Sequence, residues 1–215
     1  LRIIAQLVTS RLIYRVCLGV ALIIGTNYLF SNRALADTFE VASSLTSIIF
    51  VASEIGMSMV LMRSAATMTK VQLEHYYGTA LAIETSAWLG LLGMIAGGYA
   101  LWNGFTPMFW LLVLLGIGQA IIQYRVVFRS IYRSLHHRET ITFIEVIDGM
   151  SKILGMWLIT RYVPDHTQGV YWMAGMFTVT TMIFIAIYGA YTFKLVRPRF
   201  NRALVRSMAQ EGFWF

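Results

Sequence analysis

Residues 108–128 read MFWLLVLLGIGQAIIQYRVVF, and Arg125 is the only charged side chain in this stretch. A bilayer core about 30 Å thick needs roughly 20 helical residues, so the stretch can cross a membrane as a helix. Five further runs have the same character: Leu12–Phe30, Phe39–Met62, Tyr77–Leu101, Ile141–Ile159 and Val170–Phe193. We therefore predict an all-α, polytopic transmembrane bundle of six spans, which occupies residues 1–193.

The composition of the whole chain supports this class. Of the 215 residues, 58% are hydrophobic and only 13% are charged, and Cys17 is the single cysteine. A soluble domain carries about a quarter charged residues. One cysteine cannot form a disulfide framework or a thiolate metal site, and the sequence contains no GxxxxGK[ST] loop for ATP phosphates. We therefore expect no metal and no cofactor, and we interpret the chain as a transporter rather than an enzyme.

The net charge of +7 is distributed as membrane topology requires, so we expect no nucleic-acid partner. With the N-terminus in the cytoplasm, eleven Lys and Arg residues outside the spans lie on the inner side, against Arg33 and Arg161 on the outer side. The inner residues are Arg2, Arg11, Arg63, Lys70, Arg133, Arg138, Lys194, Arg197, Arg199, Arg202 and Arg206. Positive charge accumulates in cytoplasmic loops, which predicts that both termini of this multi-pass protein lie inside.

The C-terminal part of the chain reads differently from the spans. Residues 194–210 form a basic cytoplasmic connector that contains Pro198. Its charge either anchors the topology only or also binds the anionic head groups of membrane lipids. The chain starts without Met, and residues 211–215, EGFWF, read like the start of a seventh span. We therefore expect the N-terminal half of a larger transporter, with a C-terminal bundle as its partner.

Depth within the spans identifies the candidate functional residues. At about 1.5 Å per residue, Glu54, Glu84 and Lys152 lie roughly 12–16 Å from the cytoplasmic boundary. A charge at the bilayer centre costs roughly 2.5–3.5 kcal/mol, so such side chains should face one another or a water-filled cavity. The other charges in the cytoplasmic halves of the spans are Arg15, Arg125, Arg129, Glu145 and Asp148.

Two interpretations of these charges are possible. In the first, the arginines extend to the inner interface and Asp148 pairs only with Lys152, one helical turn away. In the second, the charged faces of the fourth and fifth helices meet in a polar vestibule that opens to the cytoplasm, because residues 145, 148 and 152 share one helix face. Short acidic side chains cannot reach the interface from ~12 Å, which favours the vestibule.

The vestibule hypothesis gives the charges two roles. Basic side chains would bind an anionic substrate, since arginine offers two-point contacts to phosphate: Arg15, Arg125, Arg129 and Lys152. Buried carboxylates would bind a coupling H⁺ or Na⁺ or balance charge: Glu54, Glu84 and Asp148.

Two stretches resemble a known transporter family. The second span ends with EIGMSMVLMRSAA at residues 54–66, and YRVVFRSIYRSLHHR at residues 124–138 is followed by Glu145 to Gly149. They are similar to the end of the second helix and to the junction of the fourth and fifth helices in polysaccharide and O-antigen flippases. That family belongs to the multidrug/oligosaccharidyl-lipid/polysaccharide exporter superfamily. The resemblance implies two six-helix lobes around a central cavity, with this chain as the N-terminal lobe.

The resemblance also implies a function. It suggests a flippase that moves an undecaprenyl-pyrophosphate-linked oligosaccharide to the outer leaflet of a bacterial inner membrane by alternating access. Two alternatives remain open, a cation-coupled drug exporter of the same superfamily and a non-transporting membrane scaffold. A net acidic cavity would favour the exporter. Charge variants that lose stability but not transport would favour the scaffold.

Overall fold

A computed structural model describes residues 2–29, 32–53, 61, 67–134 and 138–213, without the side chains at 2–11, 49–53, 133–134, 138–142 and 211–213. The helices are α1 Arg2–Leu29, α2 Arg33–Ser53, α3 Lys70–Asn103, α4 Pro107–Ser134, α5 Arg138–Tyr162, α6 His166–Leu195 and α7 Arg202–Phe213. No strand occurs in this described part of the chain. The all-α prediction is therefore confirmed.

Length and composition indicate a membrane protein. Four helices are long and apolar enough to cross a bilayer: Leu12–Leu29 in α1, and α3, α4 and α6. α2 and α5 do not reach this standard within the described residues, because α2 carries charges in its first two turns and α5 carries them along its middle. The structure thus supports four candidate spans rather than the full set of six.

The helices pack in a pattern that leaves α4 and α5 apart. α1 packs along α5, whereas α4 packs against α6, α2 and α3. α5 and α6 are also in contact, which joins the two groups. The backbones of α4 and α5 approach each other over only a short stretch, although the two helices follow each other in the chain. Contact between them therefore depends on long side chains.

Local sequence signals set several helix ends. α3 begins with a capping box, in which Gln72 N donates to Thr69 Oγ1 at 3.4 Å and Thr69 N donates to Gln72 Oε1 at 2.9 Å. It ends at Gly104, whose φ of 74° lies in the left-handed region that glycine adopts at least cost. Asp165 caps α6 by accepting a hydrogen bond from Thr167 N at 2.8 Å.

Gly169 allows α6 to approach α1 closely. Tyr28 donates its hydroxyl to Val163 O at 2.5 Å and packs its ring 4.6 Å from the ring of His166. A Cβ at position 169 would lie 2.5 Å from the Tyr28 hydroxyl oxygen. Gly169→Ala should therefore reduce the free energy of unfolding by about 1–3 kcal/mol through overpacking, measured by denaturation in detergent. Gly175→Ala in the same helix meets no neighbour within 4 Å, and an equal loss in that control would contradict the prediction.

Candidate functional site

The charges of α4 and α5 meet inside the bundle. Arg125 Nη2 donates to Asp148 Oδ2, and Lys152 Nζ donates to Asp148 Oδ1, so one carboxylate holds two cations. One turn nearer the junction of the two helices, Arg129 Nη2 donates to Glu145 Oε1. The two arginine–carboxylate pairs therefore bridge the gap between α4 and α5. We call these five residues the buried charge network.

The network is almost fully shielded from solvent. Arg125 is 3% exposed, Asp148 0%, Lys152 1% and Glu145 1%, while the side chain of Arg129 is 17% exposed. Removing an ion from water costs several kcal/mol, so each charge needs a partner. The network has three cations and two carboxylates, which leaves one positive charge without a matching anion among its members.

Aromatic rings from α1 and α6 complete the surroundings of the network. The guanidinium carbon of Arg125 lies 4.7 Å from the centroid of the Tyr14 ring, and Lys152 Nζ lies 5.6 Å from it. A cation over an aromatic ring gains ~2 kcal/mol or more when both are desolvated. Tyr188 of α6 is fully buried, and its ring lies 5.8 Å from that of Tyr132, which follows Arg129 by one turn on α4. Four helices thus contribute to one site.

Both arginines have hydrogen-bond donors left over. The Nε atoms of Arg125 and Arg129 are buried and have no hydrogen-bond partner among the described residues. A guanidinium carries five N–H donors, and a buried donor without an acceptor costs about 1–3 kcal/mol, or more on a charged group. The unmatched positive charge and the unused donors both fit an anionic oxygen acceptor.

The remaining predicted residues lie elsewhere. Arg15 is exposed although it follows Tyr14, because consecutive helical residues point about 100° apart around the axis. Glu84 is 3% exposed on α3 and takes no part in the three ion pairs of the network. Glu54 lies outside the described residues. The structure therefore brings together Arg125, Arg129 and Lys152 from the basic set, with Asp148 from the acidic set.

The site also differs in form from the open vestibule that depth predicts. Its side chains are packed between helices instead of lining water, because the carboxylates of α5 satisfy most of the charge on α4. Sequence reasoning missed Tyr14, which reads as an interfacial residue, and Tyr188, which carries no pattern of its own. A tyrosine inside a span needs a partner for its hydroxyl, and this is the signal that could have indicated both.

Comparisons of the chain with protein-family models, with curated proteins and with solved structures gave no match. The resemblance to polysaccharide flippases therefore stays a prediction. Function has to be argued from the buried charge network itself.

Proposed function

We propose that the chain is one lobe of a flippase that moves an undecaprenyl-pyrophosphate-linked oligosaccharide across a bacterial inner membrane. The observation that supports this most directly is the pair of buried arginines, Arg125 and Arg129, whose Nε donors are unused within an excess of positive charge. The oxygens of a diphosphate match the planar donors of guanidinium in two-point contacts. The sequence resemblance suggests which lipid-linked glycan is carried, whereas the two buried arginines favour an anionic ligand.

The proposal includes six spans. α5 has 25 residues and is ~37 Å long, which exceeds a hydrocarbon core of about 30 Å. Its central charges are buried in the bundle, and between positions 143 and 158 its exposed residues are apolar: Phe143, Ile147, Met150, Leu154, Trp157 and Leu158. A helix with charges paired inward and an apolar outer face can cross a membrane. With α2 as the sixth span, both termini lie in the cytoplasm, as the distribution of Lys and Arg predicts.

Binding of an anion and opening of the network would be linked. Asp148 and Glu145 hold the guanidinium groups of α4 against α5. A diphosphate that bound Arg125 and Arg129 would replace those carboxylates, and the short backbone contact between α4 and α5 offers little resistance to their separation. A ligand shifts a conformational equilibrium by its differential affinity for the two states. The substrate would therefore favour the open state, as alternating access requires.

Asp148 is the candidate for proton coupling. Its carboxylate is shared by Arg125 and Lys152, so a proton on it would leave two cations side by side. An anion would relieve that repulsion, which couples proton uptake to substrate binding in both directions. Glu84, buried on α3, and Glu54 remain candidates for binding H⁺ or Na⁺.

A cation-coupled drug exporter is the second candidate. The buried carboxylates Glu84, Glu145 and Asp148 favour it, since cationic compounds need acidic partners. The buried charge network has more cations than anions, which argues for the flippase. Tighter binding of a lipid diphosphate than of a hydrophobic cation by the purified protein would support the flippase, and the reverse order would support the exporter.

Arg125→Ala/Arg129→Ala tests the proposal. Each charge-assisted hydrogen bond contributes ~1.5–3 kcal/mol, so translocation of the lipid-linked glycan should fall by about a hundredfold or more. The measurement is the appearance of glycan on the outer leaflet of cells, with the amount of inserted protein determined in parallel.

Arg33→Ala/Arg161→Ala is the matched control, because it removes two exposed arginines from the other end of the bundle. If the alanine variant of the network does not insert, Arg125→Lys/Arg129→Lys keeps the charge but loses the planar contacts, and it should still be slowed. Unchanged transport in an inserted network variant would overturn the assigned role, and so would an equal loss in the control.

A further inference from the structure

The segment after α6 is fixed to the first turns of α3. Arg199 N donates to Glu74 O at 3.0 Å, and Arg199 Nε lies 3.1 Å from Glu74 Oε2. Asn201 N donates to Thr79 Oγ1 at 3.1 Å. Gly78 permits this approach, because a Cβ there would lie 2.5 Å from Arg199 N. The segment therefore has a defined position on the bundle.

α7 continues from this segment as a helix with two faces. Met208 is 0% exposed and belongs to an apolar cluster with Leu73 and Tyr77 of α3. Arg202 and Arg206, one turn apart, are both exposed on the opposite side of the helix. The apolar face of α7 is therefore occupied by the bundle, and its basic face is available to a partner.

The basic face of α7 continues into the preceding segment. Lys194, Arg197, Arg202 and Arg206 are exposed, and none of them takes part in an ion pair within the described residues. The side chain of Arg199 is 57% exposed despite its pair with Glu74. Phe200 stands among these cations at 60% exposure. We name this set the basic strap: Lys194, Arg197, Arg199, Phe200, Arg202 and Arg206.

The length of α3 places the basic strap at the level of lipid head groups. With 34 residues, α3 is ~51 Å long, about 20 Å more than the hydrocarbon core. The first turns of α3 carry Lys70, Gln72, Glu74 and His75, so the start of the helix is the part that suits the region beyond the core. The strap contacts α3 at Glu74, Gly78 and Thr79, within these turns, and it starts where α6 ends at Leu195. The strap thus runs beside the bundle where a bilayer presents its head groups.

We propose that the basic strap binds the phosphate groups of anionic lipids at one surface of the membrane. The apolar face of α7 is held by the bundle, so the attraction rests on the exposed basic side chains, each of which gains about 1 kcal/mol near an anionic lipid surface. Among the described residues, the other end of the bundle has no such surplus, because Arg33 and Arg161 are accompanied by Asp37, Glu40 and Asp165. Lipid binding is therefore one-sided, and it does not depend on the proposed transport.

The test uses the purified full chain in a non-ionic detergent, with lipid binding followed by native mass spectrometry. Dioleoylphosphatidylglycerol should bind more tightly than dioleoylphosphatidylcholine. Arg202→Gln/Arg206→Gln should weaken phosphatidylglycerol binding by about fivefold for each arginine removed, with phosphatidylcholine unchanged. The matched control, Arg33→Gln/Arg161→Gln, removes the same charge from the other end and should bind phosphatidylglycerol as the unaltered chain does.

Three results would overturn the proposal: equal affinity for the two lipids, equal losses in the two double variants, or displacement of the lipid by inorganic phosphate at the same concentration. Displacement by phosphate would show a site for a free anion instead of a lipid surface. Circular dichroism checks that each variant keeps its helices. If the double variant does not fold, Arg197→Gln should still weaken phosphatidylglycerol binding, and a lack of change there would count against the strap.

Discussion

Asp148→Ala should lower the free energy of unfolding by about 3–5 kcal/mol. Asp148 is 0% exposed, and its two oxygens hold Arg125 and Lys152. Without this carboxylate, two buried cations would face each other beneath the ring of Tyr14. Unfolding in mixed micelles of mild detergent and dodecyl sulfate, followed by circular dichroism, measures the loss.

Glu145→Ala is the matched control for this prediction. It removes the same charge from the same helix, and Glu145 is also buried, at 1% exposure. Its partner Arg129 is 17% exposed, however, and can turn toward solvent when the carboxylate is gone. We therefore expect less than half the loss found for Asp148→Ala. Equal losses would show that a carboxylate shared by two cations contributes no more to the free energy of unfolding than a carboxylate that pairs with one.

Replacing Asp148 together with its two partners, Arg125 and Lys152, separates stability from the proposed transport. A buried ionic group exchanged for apolar residues of similar volume is often neutral or stabilising by ~1–4 kcal/mol. Arg125→Met/Asp148→Leu/Lys152→Met should therefore fold about as well as the unaltered chain, yet it should not move an anionic substrate. If the triple variant still transports the lipid-linked glycan, the buried charge network has a structural role only.

Helical spacing explains how much of the network could be predicted. Residues 145, 148 and 152 lie on one face of α5 by their i, i+3 and i+7 positions, and Arg125 and Arg129 share a face of α4. Spacing on single helices cannot show that Asp148 takes two cations, because that depends on the distance between α4 and α5. It also cannot show that α1 packs along α5, which brings Tyr14 to the site.

Arg15 shows the limit of reasoning from depth. A prediction from depth makes no distinction between residues at the same level of the membrane. The direction of each side chain around the helix axis decides which residues it contacts. Tyr14 faces Arg125 and Lys152, but Arg15, the next residue, is exposed. Which way α1 is turned follows from its packing on α5, and no short-range pattern in the sequence encodes that.

α7 is a further element that the sequence did not predict. Its charges and the nearby Pro198 are typical of a connector, and a helix of 12 residues is marginal in water on its own. Leu204 and Met208, at i and i+4, supply a short apolar stripe that packs on α3. The stripe predicts a helix only when the surface of α3 that it packs on is known, because this packing stabilises so short a helix.

Gly78→Ala should release the segment between α6 and α7 from the bundle. The new Cβ would lie 2.5–2.6 Å from the backbone of Arg199, and backbone cannot turn aside as a flexible side chain can. Overpacking of this kind costs about 1–3 kcal/mol. The displaced segment also loses two hydrogen bonds, from Arg199 N to Glu74 O and from Asn201 N to Thr79 Oγ1. Each contributes ~0.5–1.5 kcal/mol.

Tryptic cleavage after Arg199 or Arg202 measures this release, because proteolysis follows the population of the opened segment. We expect cleavage to become about ten to a hundred times faster in Gly78→Ala. Gly90→Ala is the control: it makes the same change in the same helix, and its Cβ meets nothing within 4 Å. Alanine favours a helix over glycine by ~1 kcal/mol, so the control should be cut no faster than the unaltered chain. Rapid cleavage of both variants would mean that any glycine-to-alanine change in α3 exposes the segment. The contact between Gly78 and Arg199 would then not be what holds the segment in place.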